Sequence, residues 1–132
     1  MSTESASEHD YTHALLRVLS TLGRMGHVVI VGRGAHRVLP PEHGLRVRVI
    51  APLESRVARV MADENLPDSA ARAKIDKLDR AREGWLRRAF ADRLTTQDDL
   101  FDLEVNSASL GITVCADLIV AGVLAKWPDA AL

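Results

Sequence analysis

Residues 28–34 read VVIVGRG: four β-branched residues run straight into glycine, arginine and glycine. A strand with one wet face alternates apolar and polar residues, whereas a short unbroken apolar run suits a strand covered on both faces. The predicted strand, HVVIV at 27–31, therefore belongs to a sheet with helices on either side. Glycines where such a strand ends allow the chain to turn sharply and its backbone to approach a ligand. Two readings of Gly32-Arg33-Gly34 follow. One is a strand-to-helix turn carrying a surface arginine. The other is an anion site, with Arg33 supplying a planar fork and a following helical turn supplying free N–H groups.

The flanking segments set the fold class. YTHALLRVLSTLGRMG carries Leu15, Leu16, Leu19 and Leu22 at helical spacing and ends on glycines. LRVRVIA at 45–51 is a second strand, with Arg46 and Arg48 alternating against Val47 and Val49. Pro52 opens a helix through about Met61, and Asp68 or Ser69 caps a long helix from about Ala70 to Phe90. FDLEVN at 101–106 is a third strand, and the run from Gly111 to Trp127 is a closing helix. Strands alternating with helices predict an α/β fold: a three-layer parallel sheet of about three strands with flanking helices and right-handed crossovers. Ligands of such sheets bind beyond the carboxyl ends of the strands, where Gly32-Arg33-Gly34 is expected.

At 132 residues the chain has room for one domain, read as a disordered tail over 1–10 and a single domain over 11–132. A net charge of −1 offers no global field to attract nucleic acid or an acidic membrane, so neither is expected as a partner. No apolar stretch reaches membrane-spanning length, and the acidic start is not a signal peptide. The single cysteine, Cys115, lies in an apolar run, reads as a small buried residue, and fits a cytoplasmic setting. His27, His36 and His43 are scattered, no pair of histidines is read as having the spacing of a helical or turn metal site, and one cysteine adds no ligand cluster, so no metal site is expected. No nucleophile elbow is present, and Trp85 and Trp127 read as packing residues.

Two further clusters carry charge. In KIDKLDRAREGWLRR, Asp79 and Arg82 are three apart and share a helix face. In LESRVARVM, Leu53, Val57, Val60 and Met61 form an apolar stripe that leaves Arg56 and Arg59 on another face. Each is compatible with a solvated, salt-bridged helix or with a binding surface.

Taken in order, VVIVGRGAHRVLP, LRVRVIAPLESRVARVM, KIDKLDRAREGWLRRAF and FDLEVNSASL resemble the cytidylate-kinase-like family of nucleoside monophosphate kinases, which have the P-loop fold. The resemblance covers about residues 12 to 125 and rests on the succession of segments. It implies that Arg33, between Gly32 and Gly34, matches the arginine holding the acceptor phosphate or base. It implies that Asp79 and Arg82 match the lid pair gripping the acceptor nucleotide. Arg56 and Arg59 match arginines of the helix after the second strand.

The chain departs from that family twice. Better-known bacterial cytidylate kinases carry Asp after the Gly-Arg, where this chain has Gly34. A carboxylate able to accept from a cytosine amino group is therefore missing. Nor does any stretch read G-x-x-x-x-G-K-[ST], the loop that cradles the donor phosphates and places a hydroxyl on Mg²⁺. In the family that loop's strand lies between the Gly-Arg strand and the LRVRVIA strand. Its absence leaves three expectations: a closed-up three-stranded sheet, pairing with another chain, or a fragment of a longer protein.

Three functions stay open on this reading. One is a domain related to ATP-dependent nucleoside monophosphate phosphorylation and inactive alone, needing no cofactor by itself, with ATP and Mg²⁺ entering once a P-loop segment completes it. Another is a non-catalytic nucleotide- or anion-binding regulatory module. The last is an interaction domain that forms a homodimer or docks on an upstream domain.

Overall fold

The computed structural model describes residues 3–91 and 101–130. Its elements are helix α1 (Thr3–Met25), the single turn α2 (Ala35–Val38), a 3₁₀ turn (Pro41–His43), strand β1 (Val47–Ile50), helices α3 (Leu53–Glu64) and α4 (Asp68–Ala89), strand β2 (Leu103–Asn106), the short α5 (Ser107–Leu110) and α6 (Ile112–Lys126). The chain is α/β and mostly helical, with β1 and β2 pairing in parallel: Val47 faces Leu103 and Ile50 faces Asn106. Among the described residues no helix is long and apolar enough to cross a membrane.

The chain divides into two compact units, one of residues 1–46 and 86–101, the other of residues 47–85 and 102–132. In the first, α1 takes in residues 3–10, which the sequence places in a tail. Leu19 of α1 and Phe90 are its buried apolar side chains. Gly23 lets α1 come close to Leu39: a Cβ there would stand 2.6 Å from Leu39 Cδ2. Near the other end of α1, Glu8 accepts a hydrogen bond from Arg88 at 2.8 Å.

The strand expected at 27–31 is not formed, so the sheet has two strands among the described residues rather than three. Val29 and Val31 are 90% and 85% exposed, not covered on both faces. A strand exists through its neighbour, which must take up its backbone donors and acceptors; propensity alone does not make one. The closed-up three-stranded sheet is therefore not what the chain adopts. The helical turn expected after Gly-Arg-Gly is present as the four residues of α2, too short to gather a helix-terminal field.

The second unit is a β–α–α–β arrangement. Pro52 is the N-cap of α3, just outside the helix it opens. Asn65 ends α3 in a left-handed conformation (φ 52°), donating its N–H to the Met61 carbonyl, and Pro67 follows before α4 begins. Val57 of α3 packs with Ala71 and Ile75 of α4, and Val60 and Met61 cover them. Asn106 closes β2 and caps α5, its side chain accepting from the N–H groups of Ala108 and Ser109. Ser107 Oγ then donates to the Ile50 carbonyl at the carboxyl end of β1. Cys115 of α6 and Val105 of β2 are buried, as the apolar run around Cys115 predicts. The alternation in β1 is less clean: Val49, on the predicted apolar face, is 58% exposed.

Candidate functional site

Residues 32–35 form a tight left-handed turn. Arg33 and Gly34 have φ of 59° and 68°, and the Ala35 N–H donates to the Gly32 carbonyl at 3.3 Å. These are the values of a type I′ β-turn, which places both central residues in the left-handed region. Glycine adopts that region freely, but an arginine held there costs about 1–2 kcal/mol. The Arg33 side chain is exposed and, among the described residues, makes no hydrogen bond or ion pair.

Gly34 is required on two counts. Besides its positive φ, a Cβ there would meet Phe90 Cε2 at 2.7 Å and Leu86 Cδ2 at 3.3 Å. Phe90 is buried, at 4% exposure. Position 34 thus cannot take the aspartate of better-known bacterial cytidylate kinases without displacing that ring. His36, just past the turn, stacks on Phe101 with ring centroids 4.9 Å apart. Burial, followed by the charges of Arg37 and Arg46, lowers the affinity of His36 for a proton below that of a free imidazole.

The second unit gathers three of the predicted site residues on one oxygen. Arg56 Nη2 on α3 and Arg82 Nη2 on α4 each donate to Asp79 Oδ1 at 2.8 Å. Asp79 and Arg56 are half-buried, and Arg82 is exposed. The hydrogen bond from Arg56 is the main reason the Asp79 carboxyl titrates below its ordinary range; partial burial opposes it, and the charges of Arg56 and Arg82 add to it. The same bond holds the Arg56 guanidinium charged. Two cations on one carboxylate leave one positive charge in excess, and each planar fork keeps N–H donors beyond the one given to Asp79. Arg59, grouped with Arg56 in the sequence, instead pairs with Asp63 on its own helix, at 3.4 Å.

Other ion pairs hold α3 and α4 in place around this cluster. Arg72 donates to both Glu54 oxygens at 2.8 and 2.6 Å and, through Nε, to Asp68 at 2.8 Å. Those hydrogen bonds keep the Glu54 and Asp68 carboxyls below their usual range. Lys74 pairs with Glu64. Asp68, expected as a helix cap, thus spends its carboxylate on Arg72 one turn on. Among the described residues no group of three or more metal-binding side chains occurs. The expectation that no histidine pair has helical metal-site spacing is corrected by His9 and His13, four apart on α1, with ring centroids 4.3 Å apart.

Over 101 residues the chain is 35% identical to a uronate isomerase of Corynebacterium glutamicum, an alignment covering 76% of this chain and 19% of that protein. The chain thus spans about a fifth of the length of that curated relative. No solved structure matches it. The sequence profile of the cytidylate kinase-like family matches residues 1–109, most of the chain, and to that family the chain belongs.

Proposed function

We propose that this chain is an anion-holding module of the cytidylate kinase-like family that takes the phosphate of a nucleoside monophosphate at the arginine pair bridged by Asp79. The observation that carries this reading is the convergence of Arg56 and Arg82 on one carboxylate oxygen, each at 2.8 Å. A guanidinium pair already paid for in geometry by Asp79 loses little freedom when an anion arrives. Its position adds support: α3, which bears Arg56, starts three residues beyond the carboxyl end of β1, the end at which ligands of parallel sheets bind. Arg33, on its strained turn in the first unit, is a further candidate for the same ligand class. Residues 1–132 hold no Gly-rich loop with the lysine and hydroxyl that grip Mg²⁺-ATP, so no transfer step is assigned to this chain.

Calorimetric titration tests the reading with four ligands: CMP, cytidine, inorganic phosphate and glucuronate. The last covers the carboxylate substrate class named by the Corynebacterium relative. CMP and phosphate bind, cytidine does not, and Arg56→Ala or Arg82→Ala weakens binding by about ten- to a hundredfold, the worth of a charged hydrogen bond. Equal binding of CMP and cytidine, or CMP affinity indifferent to both substitutions, overturns it. Glucuronate binding in place of phosphate would move the site to carboxylate ligands.

A further inference from the structure

The geometry points to a two-histidine metal site on α1, formed by His9 and His13 and suited to a divalent ion of the zinc, nickel and copper group. Both side chains are exposed on a continuous helix, one turn apart on the same face. Their rings stand edge to face, with centroids 4.3 Å apart and planes at 71°. A dication bound at about 2.0–2.1 Å from one nitrogen of each ring puts the two centroids roughly 4.5–5 Å apart. The pair must therefore open by roughly 0.2–0.7 Å and turn out of its edge-to-face arrangement so that one nitrogen of each ring faces the ion, which rotation about the side-chain bonds supplies.

Glu8 and Asp10 flank His9 in the sequence, and Arg17 lies one turn beyond His13 on α1. Glu8 is engaged with Arg88, so the two imidazoles are the primary ligands. Neutral imidazole selects zinc, nickel and copper over magnesium and calcium, which seek oxygen. Water completes the remaining coordination positions, making this an open and exchangeable site. Bound metal ties two successive turns of α1 together.

Equilibrium dialysis of the full chain against Zn²⁺ tests this, with the His9→Ala, His13→Ala and His27→Ala variants alongside. The expected result is one ion per chain, with affinity reduced on the order of a hundredfold in either of the first two, because each imidazole holds the other's metal at high effective concentration. The His27→Ala variant binds as the parent does. Circular dichroism checks that the exposed substitutions leave the helices intact. As a second readout, Cu²⁺ electron paramagnetic resonance shows coupling to two nitrogens in the parent and to one in His13→Ala. Unchanged Zn²⁺ affinity in both the His9→Ala and His13→Ala variants, or a single-nitrogen Cu²⁺ spectrum in the parent, overturns the site.

Discussion

Replacing Gly34 with alanine puts a methyl group where the first unit has no room for one. Gly32 is the natural control, because its φ of 71° nearly equals the 68° of Gly34 while, among the described residues and its chain neighbours aside, no atom lies within 4 Å of a Cβ built on it. Both substitutions carry the left-handed penalty of an L-residue, about 1–2 kcal/mol. Only Gly34→Ala adds the contact with Phe90, at 2.7 Å well inside van der Waals range. Because Phe90 is buried, its ring moves only by disturbing its neighbours, at an overpacking cost of roughly 1–3 kcal/mol. Gly32→Ala should therefore lose about 1–2 kcal/mol, and Gly34→Ala roughly 2–5 kcal/mol. Urea unfolding followed by far-UV circular dichroism measures both. Phe90→Leu in the Gly34→Ala background should restore part of the loss, giving a coupling energy of about 0.5–3 kcal/mol in a double-mutant cycle. Equal costs at positions 32 and 34, together with strict additivity with Phe90→Leu, would refute this reasoning.

Other expectations follow from the same geometry. Asp79→Ala leaves Arg56 and Arg82 facing each other without their shared carboxylate, so stability falls by about 0.5–1 kcal/mol, and added salt then stabilises the variant by screening the repulsion. Urea midpoints at low and high salt check this. His36 has a lowered proton affinity in the folded chain relative to its ordinary value of 6.5, so the unfolded chain binds the proton first on acidification. Its contribution is intact above pH 6.5 and is lost as pH falls below that value toward the folded-state value; a His36→Gln variant should show a flatter pH dependence of the urea midpoint. Asp79 acts in a lower window: stability present above its ordinary value of 3.8 declines as pH drops below it, and Asp79→Asn removes that slope. Ile75→Ala empties the contact between α3 and α4 and should cost about 2–5 kcal/mol by thermal or urea unfolding.

Much of the second unit was legible in the sequence, because its signals are local. Pro52, the break at Asn65–Pro67 and the apolar stripe of Val57, Val60 and Met61 fix α3 and the start of α4 within a few residues. The 27–31 run misled for a physical reason. An unbroken β-branched run states a preference for extended backbone but says nothing of a neighbour to bond. No strand ladder forms there among the described residues, and His27 at its start is left-handed, with φ of 52°. At the site, the Asp79–Arg82 pair could be read from its spacing of three on a helix. The link from Arg56 to Asp79 crosses 23 residues, and Phe90 lies far along the chain from Gly34; such meetings depend on how helices pack, which no local pattern encodes. Arg59 shows the converse, since sharing a face with Arg56 left it free to pair with Asp63 instead.

The most direct test of the central claim is a CMP titration of the parent chain and the Arg82→Ala variant at two salt concentrations. Arg82 is exposed on α4, so its removal leaves the α3–α4 packing in place and isolates its charge. The parent should bind CMP with an affinity that falls as salt rises, and Arg82→Ala should bind about ten- to a hundredfold more weakly with an unchanged unfolding midpoint. CMP binding of equal strength in the two proteins, or binding indifferent to salt, would contradict a phosphate held by the guanidiniums around Asp79.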